Sequence, residues 1–144
     1  MVQKTDPFQR QYCSDRDNCM VCRVEGSRGR CRQSGVMYKI ECSECDHVYF
    51  GETSRNAYTR GCEHTRSLDR GREDSVLYKH IIEQHRNSAD TPQFNMRVIS
   101  KHPTALDRQT AESVRIANSS HDRIMNSKQE FGHNKNWRVK LLAD

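Results

Sequence analysis

Two closely spaced cysteine pairs constrain this chain more than any other feature of its sequence. Cys19 and Cys22 form one C-x2-C pair, and Cys42 and Cys45 form a second. Such a pair presents two thiolates to one tetrahedral ion from a single turn of backbone. The first residues lack the apolar stretch of a signal peptide, so we expect a reducing compartment, in which paired cysteines bind metal more often than they form disulfides. The sequence therefore predicts at least one bound Zn²⁺.

The grouping of the zinc ligands stays open at this point, because the sequence offers further cysteines and histidines besides the two pairs. One partition binds two zinc ions, the first through four cysteines and the second through two cysteines and two histidines. Its ligand sets are Cys13, Cys19, Cys22 and Cys31, and Cys42, Cys45, His80 and His85. The alternative joins the two C-x2-C pairs on one ion, as in a zinc ribbon. Cys62 belongs to neither set, and we expect it to pack as a small apolar residue.

The composition predicts a small core and a polar surface. Of the 144 residues, 33% are hydrophobic and 30% are charged, and the mean hydropathy is -1.02. The net charge of +5, with arginines clustered between residues 23 and 32 and between residues 55 and 72, favours a polyanionic partner. No apolar run approaches the roughly 20 residues that cross a bilayer, so we expect no membrane-spanning segment.

The pattern of apolar residues predicts an α+β fold. Strand-like runs cover 36–40 and 47–51, on either side of the turn that holds Cys42 and Cys45, and a third run covers 94–100. The predicted helices run from Thr53 or Ser54 to about Leu68, from Asp74 or Ser75 to about His85, and from Thr104 to about Asn118. The order strand, strand, helix, helix, strand, helix is typical of the α+β class.

Residues 1–34 carry cysteines and arginines but little apolar periodicity, which predicts an irregular segment organised by metal. Residues 131–144 are predicted to form a basic C-terminal tail. The last predicted helix is expected to bury one apolar stripe. The residues of that stripe are Leu106, Ala111, Val114 and Ala117.

Six side chains have chemistry that could act on a phosphodiester. They are Tyr38, Tyr49, Arg60, His64, Glu112 and Asn126. Arg60 and His64 are four residues apart, so one helix face presents two donors to one phosphate, and the two tyrosines lie on neighbouring predicted strands. Each residue also has an ordinary structural interpretation. These are a solvated basic helix, aromatic packing in a sheet, a surface ion pair of Glu112 with Arg108, and a turn at Asn126.

Taken in order along the chain, the six residues resemble the GIY-YIG nuclease family. The runs that carry the resemblance are Val36-Met37-Tyr38, Tyr49-Phe50-Gly51 and Arg60-x3-His64, followed by Glu112 and Asn126, within residues 35–130. Val36, Met37 and Phe50 depart from the usual residues of the two tyrosine motifs, in ways that concern strand packing more than chemistry. The resemblance implies a small three-stranded antiparallel sheet flanked by helices, with the six residues gathered beside one divalent metal ion.

The cysteine pair between the tyrosine motifs, the downstream histidines and the cysteine-rich lead-in are similar to the endonuclease domain of Penelope-like retroelements. The resemblance implies three parts: a zinc-binding segment 1–34, an endonuclease domain 35–130 with an inserted site of two cysteines and two histidines, and the tail 131–144. It also implies cleavage or nicking of target DNA in the nucleus, which supplies a 3′ hydroxyl for target-primed reverse transcription. The chain would then act with, or fused to, a reverse transcriptase and its RNA.

The resemblance assigns a role to each site residue. Glu112 would hold Mg²⁺ or Mn²⁺. Arg60 would neutralise charge on the phosphoryl oxygens, and Tyr38 would orient or deprotonate the attacking water. Tyr49 and His64 would position the phosphate and relay protons. Asn126 would brace the site by hydrogen bonds.

Two other functional classes remain in view. A zinc-stabilised nucleic-acid-binding module without turnover would keep the fold and the basic charge. A zinc-organised protein-interaction domain would explain the cysteines but not the tyrosines, Arg60, His64 and Glu112. DNA affinity that falls steeply with salt separates the interaction domain from the other two.

Overall fold

The computed structural model describes residues 13, 16–24, 29–87, 89 and 91–126. Within these residues, the strands are β1 (Ser34–Cys42), β2 (Val48–Asn56) and β3 (Phe94–Lys101). The helices are α1 (Ala57–Asp69), α2 (Val76–Gln84) and α3 (Ala105–Ala117). Single-turn 3-10 helices cover Arg16–Asn18, Arg30–Arg32 and His121–Arg123. The element order along the chain, β1, β2, α1, α2, β3 and α3, confirms the predicted α+β class.

The three strands form one antiparallel sheet with β1 in the middle, between β2 and β3. Tyr38, near the centre of β1, lies opposite Gly51 of β2 and Val98 of β3. The central position suits β1 because its apolar run around Tyr38 is buried on both faces of the sheet. The turn between β1 and β2 holds Cys45, so the predicted hairpin with a cysteine turn at its tip is confirmed.

Both outer edges of the sheet pair with segments that are not strands of the sheet. At the β2 edge, Ile124 forms a parallel bridge with Val48, and the Met125 amide donates to the Val48 carbonyl at 2.7 Å. At the β3 edge, the Met96 amide donates to the carbonyl of Met20 at 2.9 Å. The cysteine-rich segment and residues 124–126 are therefore built into the fold at opposite sides of the sheet.

The sheet has a different apolar cluster on each face. The larger cluster joins β1 to the cysteine-rich segment, α1 and α2; its largest members include Tyr38, Ile40, Leu77, Phe94 and Met96. The smaller cluster joins the opposite face to α3 through Met37, Phe50 and Ile116. Met37 and Phe50 are two of the departures from the family motifs, and their bulk fills the space beneath α3.

Polar side chains cap all three helices at their N-termini. The Ser75 hydroxyl accepts from the Tyr78 amide at 3.2 Å and the Thr104 hydroxyl accepts from the Asp107 amide at 3.1 Å, which confirms both predicted caps. The prediction of Thr53 or Ser54 as the cap of α1 is wrong. The Asn56 side chain is the cap, because β2 stays paired with β1 up to Asn56 and so the helix starts two or three residues later than predicted.

The predicted core face of α3 is confirmed only at Ala111, which packs against the smaller cluster. Leu106 and Val114 are exposed to 41% and 52%, whereas Arg108, Glu112 and Ile116 are buried. These three buried residues are four apart and form one stripe along the helix. The polar members can be buried because the Arg108 guanidinium donates to the Glu52 carboxylate at 2.9 Å.

The described parts of the cysteine-rich segment are largely irregular, as predicted, with single 3-10 turns. The predicted basic tail 131–144 lies outside the described residues. Within the part of the chain that is described, no helix has both the length and the apolar composition that crossing a bilayer requires.

Candidate active site and metal centres

The hydroxyl group of Tyr38 is the meeting point of three candidate catalytic side chains. Arg60 donates to it from Nε at 3.1 Å, and His64 Nε2 lies 2.9 Å from it. Because β2 runs directly into α1, the first turns of α1 lie over the sheet, and the spacing of four residues turns both Arg60 and His64 toward Tyr38. The structure thus brings together three of the six residues that the sequence singled out.

Burial keeps this cluster electrically neutral at Tyr38 and His64. Burial raises the pKa of Tyr38 to about 12, against the lowering effect of the Arg60 guanidinium and with the help of the Glu112 and Glu52 carboxylates. Burial and the charge of Arg60 lower the pKa of His64 to about 3. At neutral pH the phenol therefore keeps its proton, and the imidazole is in its neutral form. With the neutral imidazole accepting at Nε2, the Tyr38 hydroxyl donates to His64 and accepts from Arg60.

Tyr49 and Glu63 complete the surroundings of this cluster. The ring of Tyr49 meets His64 edge to face, with 5.8 Å between the ring centroids. The Glu63 carboxylate accepts from Arg60 Nη1 at 2.9 Å and also binds the guanidinium of Arg55. Glu63 therefore holds the Arg60 fork in the orientation that leaves Nε for Tyr38. Sequence reasoning missed this residue, although its place between Arg60 and His64 was the signal that could have found it.

Glu112 approaches the cluster from α3, which packs on the other face of the sheet. Its side chain is buried, and its charge acts on the Tyr38 hydroxyl. Glu52 acts on the same hydroxyl from β2, one residue beyond Gly51. Sequence reasoning also missed Glu52, which is the carboxylate that Arg108 binds at 2.9 Å. Two carboxylates near one hydroxyl are the hard oxygen donors that Mg²⁺ or Mn²⁺ prefers.

Asn126 contacts the strand beside the cluster. Its side-chain oxygen accepts from the Phe50 amide at 3.0 Å, and its side-chain nitrogen donates to the Phe50 carbonyl at 2.9 Å. A side-chain amide that satisfies both backbone groups of one residue acts as a short extra strand. Asn126 therefore fixes β2 between Tyr49 and Gly51.

The eight predicted zinc ligands lie in two sets of four, each with its ligand atoms within 4.8 Å of one another. Their membership is that of the two-ion partition, so the two C-x2-C pairs belong to different sets. We call the first set the four-cysteine site and the second the two-histidine site. Either set could hold a zinc ion.

The two-histidine site has the dimensions of a zinc tetrahedron. The Nε2 atoms of His80 and His85 are 3.1 Å apart, Cys45 Sγ is 3.3 Å from His80 Nε2, and Cys42 Sγ is 3.5 Å from His85 Nε2. Bond lengths of about 2.3 Å to sulfur and 2.0–2.1 Å to nitrogen give tetrahedron edges of roughly 3.3–3.8 Å. The site links the hairpin tip to α2.

The four-cysteine site lies deeper in the protein. Cys19, Cys22 and Cys31 are almost fully buried, and the Cys22 amide donates to Cys19 Sγ at 3.5 Å. Burial raises the pKa of Cys19 to about 11, so a cation has to displace the thiol proton to bind there. A zinc ion in either site would have four protein ligands, which would leave no position for substrate or water.

The candidate active site therefore combines a neutral phenol and a neutral imidazole with one arginine and two nearby carboxylates. Two closed sites suited to zinc lie in the same fold. Such an arrangement can orient a water molecule, accept its proton and bind an anion, while the zinc sites hold the surrounding elements. Cys62, which is partly exposed, belongs to neither zinc site. A comparison of the chain with protein-family models, with curated proteins and with solved structures finds no match.

Proposed function

We propose that this protein is a metal-dependent DNA endonuclease of the GIY-YIG type, and that residues 35–130 are its catalytic domain. The observation that carries the proposal is the convergence of Arg60 and His64 on the hydroxyl group of Tyr38. These residues come from two elements, and the motif resemblance had named all three from the sequence alone. The three-stranded sheet with helices on both faces supports the same assignment.

The proposed reaction is hydrolysis of a phosphodiester bond to a 3′ hydroxyl and a 5′ phosphate. Glu112 would hold Mg²⁺ or Mn²⁺, which would polarise the scissile phosphate and stabilise the leaving 3′ oxygen. Arg60 is the residue that binds the phosphoryl oxygens. The Glu63 carboxylate holds the Arg60 guanidinium in place. The remaining N–H groups of the guanidinium are then available to the phosphoryl oxygens, on which negative charge develops.

The neutral state of Tyr38 and His64 favours a proton relay over a preformed phenolate. The Tyr38 oxygen accepts a proton from the attacking water while its own proton passes to His64 Nε2, 2.9 Å away. In this relay the phenol oxygen never carries a full charge, which its burial opposes. The negative phosphate next to His64 favours the imidazolium that results. Tyr49, whose ring packs on His64, helps to position the phosphate.

We further propose that the two zinc ions are structural and that the catalytic domain serves a Penelope-like retroelement. Cleavage would then supply the 3′ hydroxyl for target-primed reverse transcription, in the nucleus and together with a reverse transcriptase and its RNA. The sequence features that support this assignment are the cysteine pair between the tyrosine motifs and the partner histidines on α2. The geometry of the two-histidine site is consistent with it.

The test is conversion of supercoiled plasmid by zinc-loaded protein, with and without added Mg²⁺ or Mn²⁺. Glu112→Ala is compared with Glu83→Ala, which removes an exposed carboxylate from α2. We expect metal-dependent nicking by the unmodified chain and by Glu83→Ala, and none by Glu112→Ala. If the unmodified, folded chain binds DNA but never cuts it, the binding-module alternative replaces the endonuclease.

A further inference from the structure

A cleft of about 410 Å³ opens beside the Tyr38 cluster and continues between the second half of α1 and the start of α2. Its inner end is lined by Tyr49, Arg60 and His64, which the proposed cleavage reaction uses. We use the term outer end for the part that Arg66, Arg70 and Arg72 line. None of these three arginines has a role in the reaction as derived above.

The outer end carries an excess of positive charge, because three arginines lie there with Asp74 as the one carboxylate besides Glu63 in the lining. Four arginines line the cleft against two carboxylates, and one of these, Glu63, already binds Arg55 and Arg60. Among the described residues, no ion pair involves the three arginines of the outer end. Guanidinium groups that share a concave surface raise the local potential and attract an anion.

The backbone that carries these arginines is held in place. Gly71, two residues after the end of α1, is in the left-handed conformation at φ 60°, and its amide donates to the Leu68 carbonyl at 3.0 Å. The Arg72 amide donates to the Ser67 carbonyl at 3.1 Å. This pair of bonds is the Schellman motif, which fixes the direction in which the chain leaves a helix. Arg70 and Arg72 therefore flank a defined turn.

The turn is also packed against α2, whose N-terminus faces the cleft. The Arg72 carbonyl accepts from the amide of Ser75, the capping residue of α2, at 3.0 Å. A Cβ atom on Gly71 would lie 3.3 Å from the ring of Tyr78, so the turn rests on that ring. Ser75 and Val76 line the cleft, and the partial positive charge at the start of α2 adds to that of the arginines.

We propose that the outer end is a second phosphate subsite, which binds a backbone phosphate of duplex DNA next to the scissile one. The proposal rests on the endonuclease function, because it takes the inner end as the position of the scissile phosphate. One continuous cleft with arginines at both ends matches a strand that carries a phosphate at each nucleotide. Planar guanidinium forks pair with two phosphate oxygens at once.

The test is binding of a short duplex DNA by zinc-loaded protein without added Mg²⁺, measured over a range of salt concentrations. The double variant Arg70→Gln/Arg72→Gln is compared with Arg115→Gln, which removes an exposed arginine from α3. We expect the double variant to bind about tenfold more weakly and the slope of log K against log salt to become shallower by about 2. Arg115→Gln should change neither quantity.

A charge-preserving variant shows whether weaker binding comes from the lost charge or from a disturbed fold. Arg70→Lys/Arg72→Lys should keep the salt slope of the unmodified chain, and thermal unfolding of all variants should agree within a few degrees. Double-variant affinity equal to that of Arg115→Gln would overturn the subsite, whether or not the plasmid is nicked. Weaker binding by the double variant, together with a chain that never nicks, would keep a phosphate site at the outer end of a DNA-binding module and overturn the endonuclease.

Discussion

Gly51 lies directly opposite Tyr38 in the sheet, and the ring of Tyr38 occupies the space that a side chain at position 51 would need. A Cβ atom there would lie 2.5 Å from Cζ of Tyr38. Since Arg60 and His64 both meet the Tyr38 hydroxyl, the missing side chain at Gly51 is a condition for the whole cluster.

Gly51→Ala should therefore abolish most of the nicking activity while the chain stays folded. Displacement of a catalytic group by about 1 Å costs roughly 100-fold in rate. The matched control is Gly61→Ala, because a Cβ atom at this helical glycine meets Met20 at an ordinary 3.4 Å. We expect Gly61→Ala to keep full activity in the plasmid assay. Equal activity of the two variants would contradict the packing argument.

Removal of one partner of the Arg108–Glu52 pair should destabilise the protein more than the same change at an exposed pair. Arg108 and Glu52 side chains are exposed to 8% and 22%, whereas those of Arg97 and Glu41 are exposed to 53% and 37%. We expect Arg108→Gln to lower the free energy of unfolding by about 2 kcal/mol and Arg97→Gln by less than about 1 kcal/mol. Urea denaturation measures both values. Arg108→Gln should also slow nicking, because Arg108 lies one turn from Glu112 on α3.

Stability should fall as the pH is lowered below neutrality, in part because of His64. Its pKa is lowered from 6.5 to about 3 in the folded protein, so between these values the unfolded chain binds a proton that the folded chain excludes. Protonation of His64 in the unfolded chain costs no stability well above pH 6.5, and the cost grows as the pH falls from 6.5 toward 3. Between pH 7.5 and pH 5.5 the loss from this group is about 1.3 kcal/mol.

The comparison of unmodified protein with His64→Gln isolates this contribution, because zinc-ligand protonation affects both proteins alike. Denaturation at pH 7.5 and pH 5.5 should show a smaller loss for His64→Gln, by about 1.3 kcal/mol. Identical losses in the two proteins would mean that His64 is not kept neutral by the fold.

The purified protein should contain two zinc ions for each chain, and removal of zinc should loosen the fold before it affects chemistry. Cys42→Ser should reduce the zinc content to one and lower the melting temperature, since the two-histidine site links the hairpin tip to α2. Cys62→Ser is the matched control, because Cys62 belongs to neither set and should leave two ions bound. Metal analysis and thermal unfolding measure these outcomes. A verified zinc-free sample of unchanged stability would refute the structural role.

Much of the fold follows from local sequence signals. Ser75 and Thr104 stand where a short polar side chain can bond to an amide three residues on, and both do so. The apolar run around Tyr38 and the alternation that begins at Phe94 predicted β1 and β3 for the same reason, since each strand carries its own pattern. The four-residue spacing of Arg60 and His64 placed both on one helix face before any tertiary contact was known.

The errors arose where distant residues decide the local structure. Thr53 and Ser54 are good helix caps by type, yet pairing of β2 with β1 keeps them extended. Arg108 is polar by type, yet a carboxylate 56 residues away allows its burial and turns the other face of α3 to solvent. Sequence patterns along one element cannot show such partners.

Within the part of the chain that the structure describes, the sheet has three strands, and part of each outer edge is occupied by another segment. Asn126 takes up the Phe50 amide and carbonyl on one side, and on the other side the Met20 carbonyl and the Arg23 guanidinium bind the backbone of β3. Open edges are templates on which strands from other copies of a protein assemble. By occupying part of each edge, these contacts leave fewer free backbone groups on which a second copy of the chain could add a strand, which should lower its tendency to aggregate.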